Sequence, residues 1–492
     1  MSPRTAIHKL LTRREALAAA LAGGSLRAGD VADAHQASGV KVGEITPSSA
    51  VIWTRRTQSA RRFDNGVRYR GADKEASHLP QGADVNAIEG ACPGEAGYIK
   101  VSVEAQLGSD RRHSKPWTPV DAEADFTHQF RIEGLRPATI YRYAIETKRT
   151  RSGRAEAALV GRFRTAPRES ARAAVQFVLM TCQMYSHMDR EDGFWIYDSI
   201  QKLQPDFYVS CGDNVYYDSE SPIANSIAVA RYHWHRMFSL PTISSCLLTT
   251  PGYWQKDDDD VYSDDWWSTL RTPKMEAFRF EDGQRIFREQ APLPTGELYR
   301  RFRWGSAVEV WLPESRDYRS PNNAPDGPSK SLWGAEQKKW LKNSLLASDA
   351  DWKIVFNPDP IIGPDHKNKA DNHADPAFAT EGREIRQFLR ENLAGRVILT
   401  NGDRHWQYHS VDPESGLHEF GCGPASDVHA VSPSEGRDPR YHKFLRIKGG
   451  FLVLRVDPGD AQNHLTIEHR DVMGSVVYRR VYRKPDSKNP WA

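Results

Sequence analysis

The sequence predicts a chain of two parts: an N-terminal all-β sandwich, followed by an α/β domain in which two sheets are flanked by helices. A chain of 492 residues is too long to fold around a single hydrophobic core. Its first third has short apolar runs separated by turn residues, which is typical of strands. From residue 175 onward, apolar runs alternate with amphipathic segments, which is typical of strands alternating with helices.

The composition excludes several classes of function. The 67 lysines and arginines nearly balance the 64 aspartates and glutamates, and the formal net charge is +3. Such a balance gives no reason to expect nucleic acid as a partner. The five cysteines are scattered without CxxC spacing. We therefore predict neither a disulfide framework nor a zinc ribbon, and we expect at least one free thiol.

The N-terminus has the features of an export signal in their usual order. Arg13-Arg14 precede a small-residue apolar run at 18–24, and an A-x-A cleavage site follows at 32–34. This pattern predicts a twin-arginine signal peptide over residues 1–34; the alternative is a frayed amphipathic helix. The segment is too short to span a bilayer. We therefore expect export by the twin-arginine machinery to the periplasm or the exterior, without a stable membrane anchor.

The first predicted domain covers residues 38–167 and resembles the immunoglobulin and fibronectin type III class of sandwich. Leu135 to Tyr141 has the spacing of a tyrosine corner, in which a phenol bonds back to an upstream backbone group. We see no catalytic constellation in this part, and residues 166–171 are expected to be a linker. The predicted strands are Val40–Val42, Ala50–Trp53, Tyr98–Val103, Thr127–Ile132, Thr139–Ile145 and Gly161–Thr165.

The second predicted domain covers residues 172–482. Its tail, from about 443 to 482, returns to β structure and is expected to close a second sheet over the first. The predicted strands are 175–181, 206–210, 247–250, 308–312, 352–356 and 397–400, and the predicted helices are 193–202, 334–347 and 381–392.

Polar residues follow several of these strands, where open α/β sheets carry their chemistry. Asp213 comes directly after a buried strand, and Tyr216 can return to the same side, so a carboxylate and a phenolate could meet one metal ion. The alternative for Asp213 is a buried carboxylate that caps the next turn. A carboxylate shared by two cations, with ligands from successive strand ends, is the arrangement of a two-metal phosphoryl hydrolase. The polar strand ends are Thr181–Gln183, Gly212–Tyr216, Trp254–Asp260, Asn357–Pro360 and Asn401–His405.

These motifs, in this order over about 165 to 480, resemble the alkaline phosphatase D (PhoD-like) branch of the calcineurin-like metallophosphoesterases. The motifs are Thr181-Cys-Gln, Gly212-Asp-Asn-Val-Tyr, the acidic stretch after Trp254, Arg316-Asp-Tyr-Arg and Gly402-Asp-Arg-His. The resemblance implies a secreted hydrolase of small phosphate monoesters or diesters, with an α/β calcineurin-like domain and a PhoD-type N-terminal domain.

The resemblance also implies a set of ligands. Calcium, or another divalent metal, would share Asp213 and take Asp403 and Asp258. Arg316 resembles the phosphate-binding arginine, since a planar fork suits two phosphate oxygens; the alternative is a surface salt bridge. The residues implied to hold Fe³⁺ are Cys182, Asp213, Tyr216 and His405.

One position departs from the family pattern. Where the family reads Asp-Asp-His-Asp or Asp-Asp-His-Glu, this chain has four aspartates at 257–260. Asp259 therefore stands where a histidine near the leaving group is expected. It could act catalytically as a neutral general acid, or it could turn toward calcium, which we favour because hard oxygen ligands suit that ion.

The scaffold and several polar residues are compatible with more than one role. The scaffold also suits a purple-acid-phosphatase-like or phospholipase-D-like diesterase, and the lost histidine would suit a non-catalytic, metal-stabilised binding protein. Asp359 could be a ligand or a turn carboxylate. The polar loop at 368–373 could line the pocket, although we favour a capping role before Pro376. Trp266-Trp267 is expected to be a covered hydrophobic edge rather than a substrate platform.

Overall fold

The computed structural model describes residues 34–107, 112–434, 436–457 and 464–483. The export signal predicted over residues 1–34 lies outside this part, apart from Ala34. Among the helices of the described ranges, none is both long enough and apolar enough to cross a bilayer.

Eight strands form in the first third of the chain, where runs of β-branched and aromatic residues are separated by turns. The six strands predicted there are confirmed, with ends that differ by at most three residues; β4 and β5 are additional. The eight are β1 Val40–Gly43, β2 Ser49–Arg55, β3 Gly97–Ala105, β4 His113–Ser114, β5 Thr118–Val120, β6 Thr127–Glu133, β7 Ile140–Lys148 and β8 Leu159–Arg164.

The tyrosine corner is also confirmed. The Arg136 backbone N–H donates to the Tyr141 hydroxyl oxygen at 2.8 Å. This bond ties the start of β7 to the preceding loop.

The remainder of the chain alternates strands with helices before it returns to β structure. The strands are β9 Val175–Met180, β10 Phe207–Cys211, β11 Gly252–Gln255, β12 Arg300–Trp304, β13 Val308–Leu312, β14 Trp352–Asn357, β15 Val397–Asn401, β16 Gln407–Val411, β17 His418–Cys422, β18 His442–Arg446, β19 Phe451–Asp457, β20 His464–Arg470 and β21 Val476–Tyr482. The helices are α1 Trp195–Leu203, α2 Ile227–Phe238, α3 Pro241–Leu247, α4 Phe280–Gln290, α5 Ala335–Ala347 and α6 Ala379–Leu393.

These strands form three sheets. A nine-stranded sheet has the order β21-β20-β19-β9-β10-β11-β1-β2-β6, and a seven-stranded sheet has the order β12-β13-β14-β15-β17-β16-β18. A five-stranded sheet has the order β4-β3-β7-β8, with β5 beside β3. The predicted return of the tail to β structure is confirmed, although it contributes to two sheets: β18 joins the seven-stranded sheet and β19–β21 the nine-stranded one.

The N-terminal strands do not all belong to a sheet of their own. β1, β2 and β6 extend the nine-stranded sheet, because β1 pairs in parallel with β11 where Gly43 lies opposite Gly252. A Cβ atom at Gly43 would lie 2.9 Å from the Gly252 carbonyl oxygen, so the contact depends on glycine. The immunoglobulin or fibronectin type III class of this part stays a prediction.

The side chains of the central strands alternate between two buried faces, so each sheet packs against the other sheet on one side and against helices on the other. On β9, Phe177 and Leu179 point into the core shared with the seven-stranded sheet, where the Phe177 ring lies 6.0 Å from the Phe356 ring. Val178 and Met180 point the other way, into the cluster formed with α1 to α4. Helices α5 and α6 cover the outer face of the seven-stranded sheet. Two sheets are thus packed between two layers of helices.

One predicted strand is wrong. The sequence predicts a strand at Leu247–Thr250, but Leu247 ends helix α3 and the strand begins at Gly252. A short apolar run does not distinguish a strand from a buried helix. Pro241 in the first turn of α3 favours the helix, since proline is common at that position.

Candidate metal centre

The carboxyl ends of the parallel strands meet at one edge of the facing sheets. β9, β10 and β11 run parallel in the first sheet, and β14 and β15 run parallel in the second. The residues after these strands therefore come close together. They include Cys182 after β9, Asp213 and Tyr216 after β10, Asp257–Asp260 after β11, Asp359 after β14, and Asp403 and His405 after β15.

Three of these residues have a left-handed backbone. The φ angles of Cys182, Asp213 and Asp403 are +53°, +53° and +56°. Such a conformation costs about 1–3 kcal/mol for a residue other than glycine, and it is concentrated at functional sites. The turns after three strands thus carry strain that aims their side chains.

One group combines sulfur, carboxylate, phenol and imidazole. The Cys182 Sγ atom lies 3.3 Å from Asp213 Oδ2, and the Tyr216 hydroxyl lies 3.2 Å from the same oxygen. The Tyr216 oxygen is 3.5 Å from His405 Nε2. Ligand atoms of Cys182, Asp213 and His405 all lie within 4.8 Å of one another. The structure therefore brings together the four residues that the resemblance assigns to iron.

A second group is made of carboxylates alone. Oxygens of Asp213, Asp258 and Asp259 lie within 4.8 Å of one another. Asp213 Oδ1 and Asp259 Oδ1 are buried and have no hydrogen-bond partner. Asp213 is therefore common to both groups, with Oδ2 facing the thiol and the phenol.

Asp403 lies in a different group from the one expected for calcium. Its carboxylate is grouped with those of Asp257 and Asp359, within 4.8 Å. Asp359 is fully buried, so it is more than an exposed turn carboxylate. The structure thus draws Asp359 into the site beside Asp403.

Arg316 is buried among these carboxylates. Its Nη2 atom donates to Asp359 Oδ1 at 2.7 Å, and its Nε atom donates to Asp257. Nη2 also lies 3.5 Å from Asp258 Oδ1. The alternative of a surface salt bridge is wrong, because the Arg316 side chain has no exposed area. Nη1 is the buried nitrogen of the fork that has no hydrogen-bond partner.

Two of the buried carboxylates, Asp213 and Asp259, resist ionisation. Burial and the charges of Asp258 and Asp260 raise the pKa of Asp213 well above its usual value. Burial and the charges of Asp258 and Asp213 likewise raise the pKa of Asp259. Such groups are stabilised as anions by a nearby cation, because the attraction compensates for lost hydration.

Burial favours the neutral form of the Cys182 thiol, the Tyr216 phenol and the His405 imidazole. Burial raises the pKa of Cys182 and of Tyr216, and it lowers the pKa of His405. All three are therefore held neutral, with protons on sulfur and oxygen. A bound cation deprotonates coordinating thiols and phenols. Together with the unpartnered oxygens, this donor set fits two cations.

Asp260 has a structural role. Its carboxylate accepts the backbone N–H groups of Asn214 at 2.8 Å and of Asp257 at 2.9 Å. Burial raises its pKa to about 7. Asp260 thus fastens the loop after β11 to the loop after β10, and so fixes the position of Asp213 relative to the acidic stretch.

Several residues of the site were missed by the sequence-based reasoning. The His429 ring lies 4.0 Å from the His405 ring and 5.1 Å from the His187 ring. His429 lies beyond the last strand-end motif and His187 follows the first one by four residues, so only their residue type could have drawn attention to them. Arg404 follows Asp403 and pairs with it, so its place in the Gly-Asp-Arg-His motif was a usable signal.

The two roles considered for the polar loop at 368–373 fall to different residues, one of which, Asp375, lies just outside the loop. Asp375 caps the next turn, accepting the backbone N–H groups of Asp371 and Ala377. The Asp371 carboxylate instead lies 3.6 Å from Arg316 and 3.7 Å from Arg404. The capping role therefore belongs to Asp375, and Asp371 lines the site.

The tryptophan pair is a covered edge, as expected. Trp266 is fully buried and stacks on Phe280 with ring centroids 3.7 Å apart. Trp267 is half-buried.

The chain matches two family models. Residues 177–445 match the PhoD-like phosphatase family, and residues 22–167 match the N-terminal domain of PhoD-like phosphatases. Alkaline phosphatase D from Bacillus subtilis (strain 168) is 23% identical over 326 residues, which are 58% of this chain and 54% of that protein. The chain thus spans little more than half the length of this curated relative.

Two solved structures have a similar fold. The structure of PhoD matches with a TM-score of 0.69 and 17% identity, over 94% of this chain and 92% of that chain. Purple acid phosphatase PPD1 from yellow lupin (Lupinus luteus) seeds matches with a TM-score of 0.56 and 13% identity, over 90% of this chain and 73% of that chain. At such low identities these matches show a common fold.

Proposed function

Because this chain belongs to the PhoD-like phosphatase family, we propose that it is a metal-dependent hydrolase of phosphate esters whose two cations share Asp213. The two oxygens of that carboxylate have different surroundings, and this observation carries the proposal. Oδ2 lies beside the thiol of Cys182 and the phenol of Tyr216, whereas Oδ1 is buried without a partner. A carboxylate can bridge two cations by offering one oxygen to each.

We assign Fe³⁺ to the mixed group and Ca²⁺, or another divalent metal, to the carboxylates. Cys182, Tyr216 and His405 supply one sulfur, one phenolic oxygen and one nitrogen, which suit a transition metal. Asp213 and Asp258 supply hard oxygens, which suit calcium. Bound cations would polarise the phosphate and make a bound water more acidic. Asp403 would belong to the neighbouring group of carboxylates, with Asp257 and Asp359.

Arg316 would hold the phosphate by its remaining donor. Its Nε and one proton of Nη2 already bind Asp257 and Asp359, which orients the guanidinium. Nη1 is buried without a protein partner, and it would donate to a phosphate oxygen that entered the site. The two carboxylates thus orient the Arg316 side chain, which in turn would orient the phosphate of the substrate.

The test is hydrolysis of para-nitrophenyl phosphate and of its bis ester, with and without a chelator. We expect metal-dependent hydrolysis of at least one ester, and a loss of about 10² or more in kcat on Asp213→Asn. Asp349→Asn is the matched control, because that carboxylate is 93% exposed and pairs with Arg303. A metal-loaded protein that hydrolyses neither ester would instead be a metal-stabilised binding protein.

Export is a separate part of the proposal. The twin arginines at 13 and 14 support passage through the twin-arginine machinery, and the activity would then be periplasmic or extracellular. Fractionation of cells that express the full chain, with Arg13→Lys and Arg14→Lys together as the comparison, tests it. Unchanged export of the double variant would contradict this route.

A further inference from the structure

The acidic groups of the metal centre differ in how their charges are balanced. Asp257 and Asp359 both bind Arg316. Asp403 pairs with Arg404. This group therefore contains its own counter-charges, although one oxygen each of Asp257 and Asp359 is also buried without a hydrogen-bond partner.

Two further acidic groups, Asp258-Asp264-Asp265 and Asp365-Asp371-Asp375, also have basic side chains beside them. Lys369 Nζ lies 3.3 Å from Asp264 Oδ1 and contacts Asp265. On the other side, Arg404 Nε lies 3.2 Å from Asp365 Oδ1. A basic side chain thus reaches each of these groups.

The group of Asp213, Asp258 and Asp259 is different. Within the described ranges, no basic side chain forms an ion pair with Asp213 or Asp259. Asp258 Oδ1 lies 3.5 Å from Nη2 of Arg316, but that guanidinium binds Asp257 and Asp359 more closely. Asp259 is only 6% exposed, yet its Oδ1 has no hydrogen-bond partner. Three close carboxylates, two of them with unpartnered buried oxygens, cannot all be stable as anions unless a cation lies between them.

We propose that Asp259 is a direct ligand of the second cation, in an all-carboxylate set with Asp213 and Asp258. The proposal rests on the proposed function, in which Asp213 is shared by both cations. Calcium takes six to eight oxygen ligands, so a third carboxylate is readily accommodated. An Asp259 carboxylate bound in this way has no proton to give, so it positions the cation and leaves protonation of the leaving group to water.

The test is a calcium titration by isothermal calorimetry of the full protein with its iron in place and its calcium removed. Asp259→Asn should weaken calcium binding by about tenfold or more, because one anionic ligand is lost. Asp264→Asn is the matched control: it removes one carboxylate from the same loop, but its side chain is 69% exposed and pairs with Lys369. We expect its calcium affinity to stay within about twofold.

Equal calcium affinity of wild type and Asp259→Asn would overturn the proposal. An equal loss in the Asp264 variant would also overturn it, because the effect would then be one of general charge. If Asp259→Asn does not fold, as judged by circular dichroism, Asp259→Ser provides the same comparison. The proposed function fails separately: it requires hydrolysis by the metal-loaded wild type, whereas the calcium titration decides only the role of Asp259.

Discussion

Removing the Arg316 guanidinium is expected to destabilise the protein strongly, because several carboxylates depend on it. The side chain is fully buried, and it donates to Asp257 and to Asp359, the latter at 2.7 Å. Hydrogen bonds to charged groups contribute about 1.5–3 kcal/mol each. Breaking a buried ion pair by removing one partner costs about 3–5 kcal/mol. We therefore expect Arg316→Met to lower the free energy of unfolding by about 3–5 kcal/mol.

Arg316→Lys keeps the charge but loses the fork that reaches two carboxylates at once. We expect it to cost about 1.5–3 kcal/mol, the value of one charged hydrogen bond. Urea unfolding of the metal-free protein, followed by tryptophan fluorescence, measures both variants. Arg68→Met is the matched control, because Arg68 is 54% exposed and its partner Glu191 is 69% exposed. Its effect should stay within about 0.5 kcal/mol.

A double-mutant cycle tests the coupling directly. Arg316→Met combined with Asp359→Asn should cost less than the sum of the two single changes, by about 0.5–3 kcal/mol, because the orphaned charge is then neutral. If Arg316→Met unfolds at the same urea concentration as the wild type, the reasoning from burial and hydrogen bonding is refuted.

The metal centre and its surroundings lead to four more expectations. In the iron-loaded protein, Tyr216→Phe should remove a visible absorption band that arises from the bound phenolate; a colourless wild type with full iron occupancy would contradict the assignment. Removal of the metals by chelator should lower the melting temperature, because the ligand set is absent from the unfolded chain, and equal melting temperatures would argue against two tightly bound ions. Gly402→Ala should impair folding, since its Cβ would lie 2.2 Å from the Cys211 carbonyl oxygen, whereas Gly296→Ala meets nothing within 4 Å and should fold normally, as soluble expression will show. Burial lowers the pKa of His418 to about 4 from 6.5, so the unfolded chain binds more protons between these values and stability should fall as the pH drops through that window; His418→Gln should make this dependence less steep in urea titrations at several pH values.

Most strands could be predicted because their periodicity is local. Runs such as Val175–Met180 alternate toward two buried faces, and turn residues mark their ends. Helix α2 was not predicted, since nine of its residues, including Arg236, are buried and no polar face repeats along it. A helix that is enclosed on all sides lacks the amphipathic pattern by which surface helices are recognised. Helix α4 was also missed, although it does have that pattern: its buried residues Gly283, Ile286, Phe287 and Gln290 recur at helical spacing.

The candidate site likewise has features that local sequence patterns predict and features that they do not. Asp213 and Cys182 could be chosen from the sequence because both follow buried strands, and the carboxyl ends of parallel strands share one edge. The grouping of Asp403 with Asp257 and Asp359, rather than with Asp213, could not be predicted from the sequence. That grouping depends on how two sheets face each other, which no local pattern contains.

The sequence by itself therefore determined the order of the elements, the residues available at each strand end and the family. Only the tertiary structure decided which charges are balanced: it buried Arg316 among four carboxylates and left Asp213 and Asp259 with unpartnered oxygens. The physical reason is that a residue's chemical type and its position along a strand are local properties. Desolvation and charge pairing are summed over neighbours that lie far apart in the chain, and they exist only once the sheets have packed.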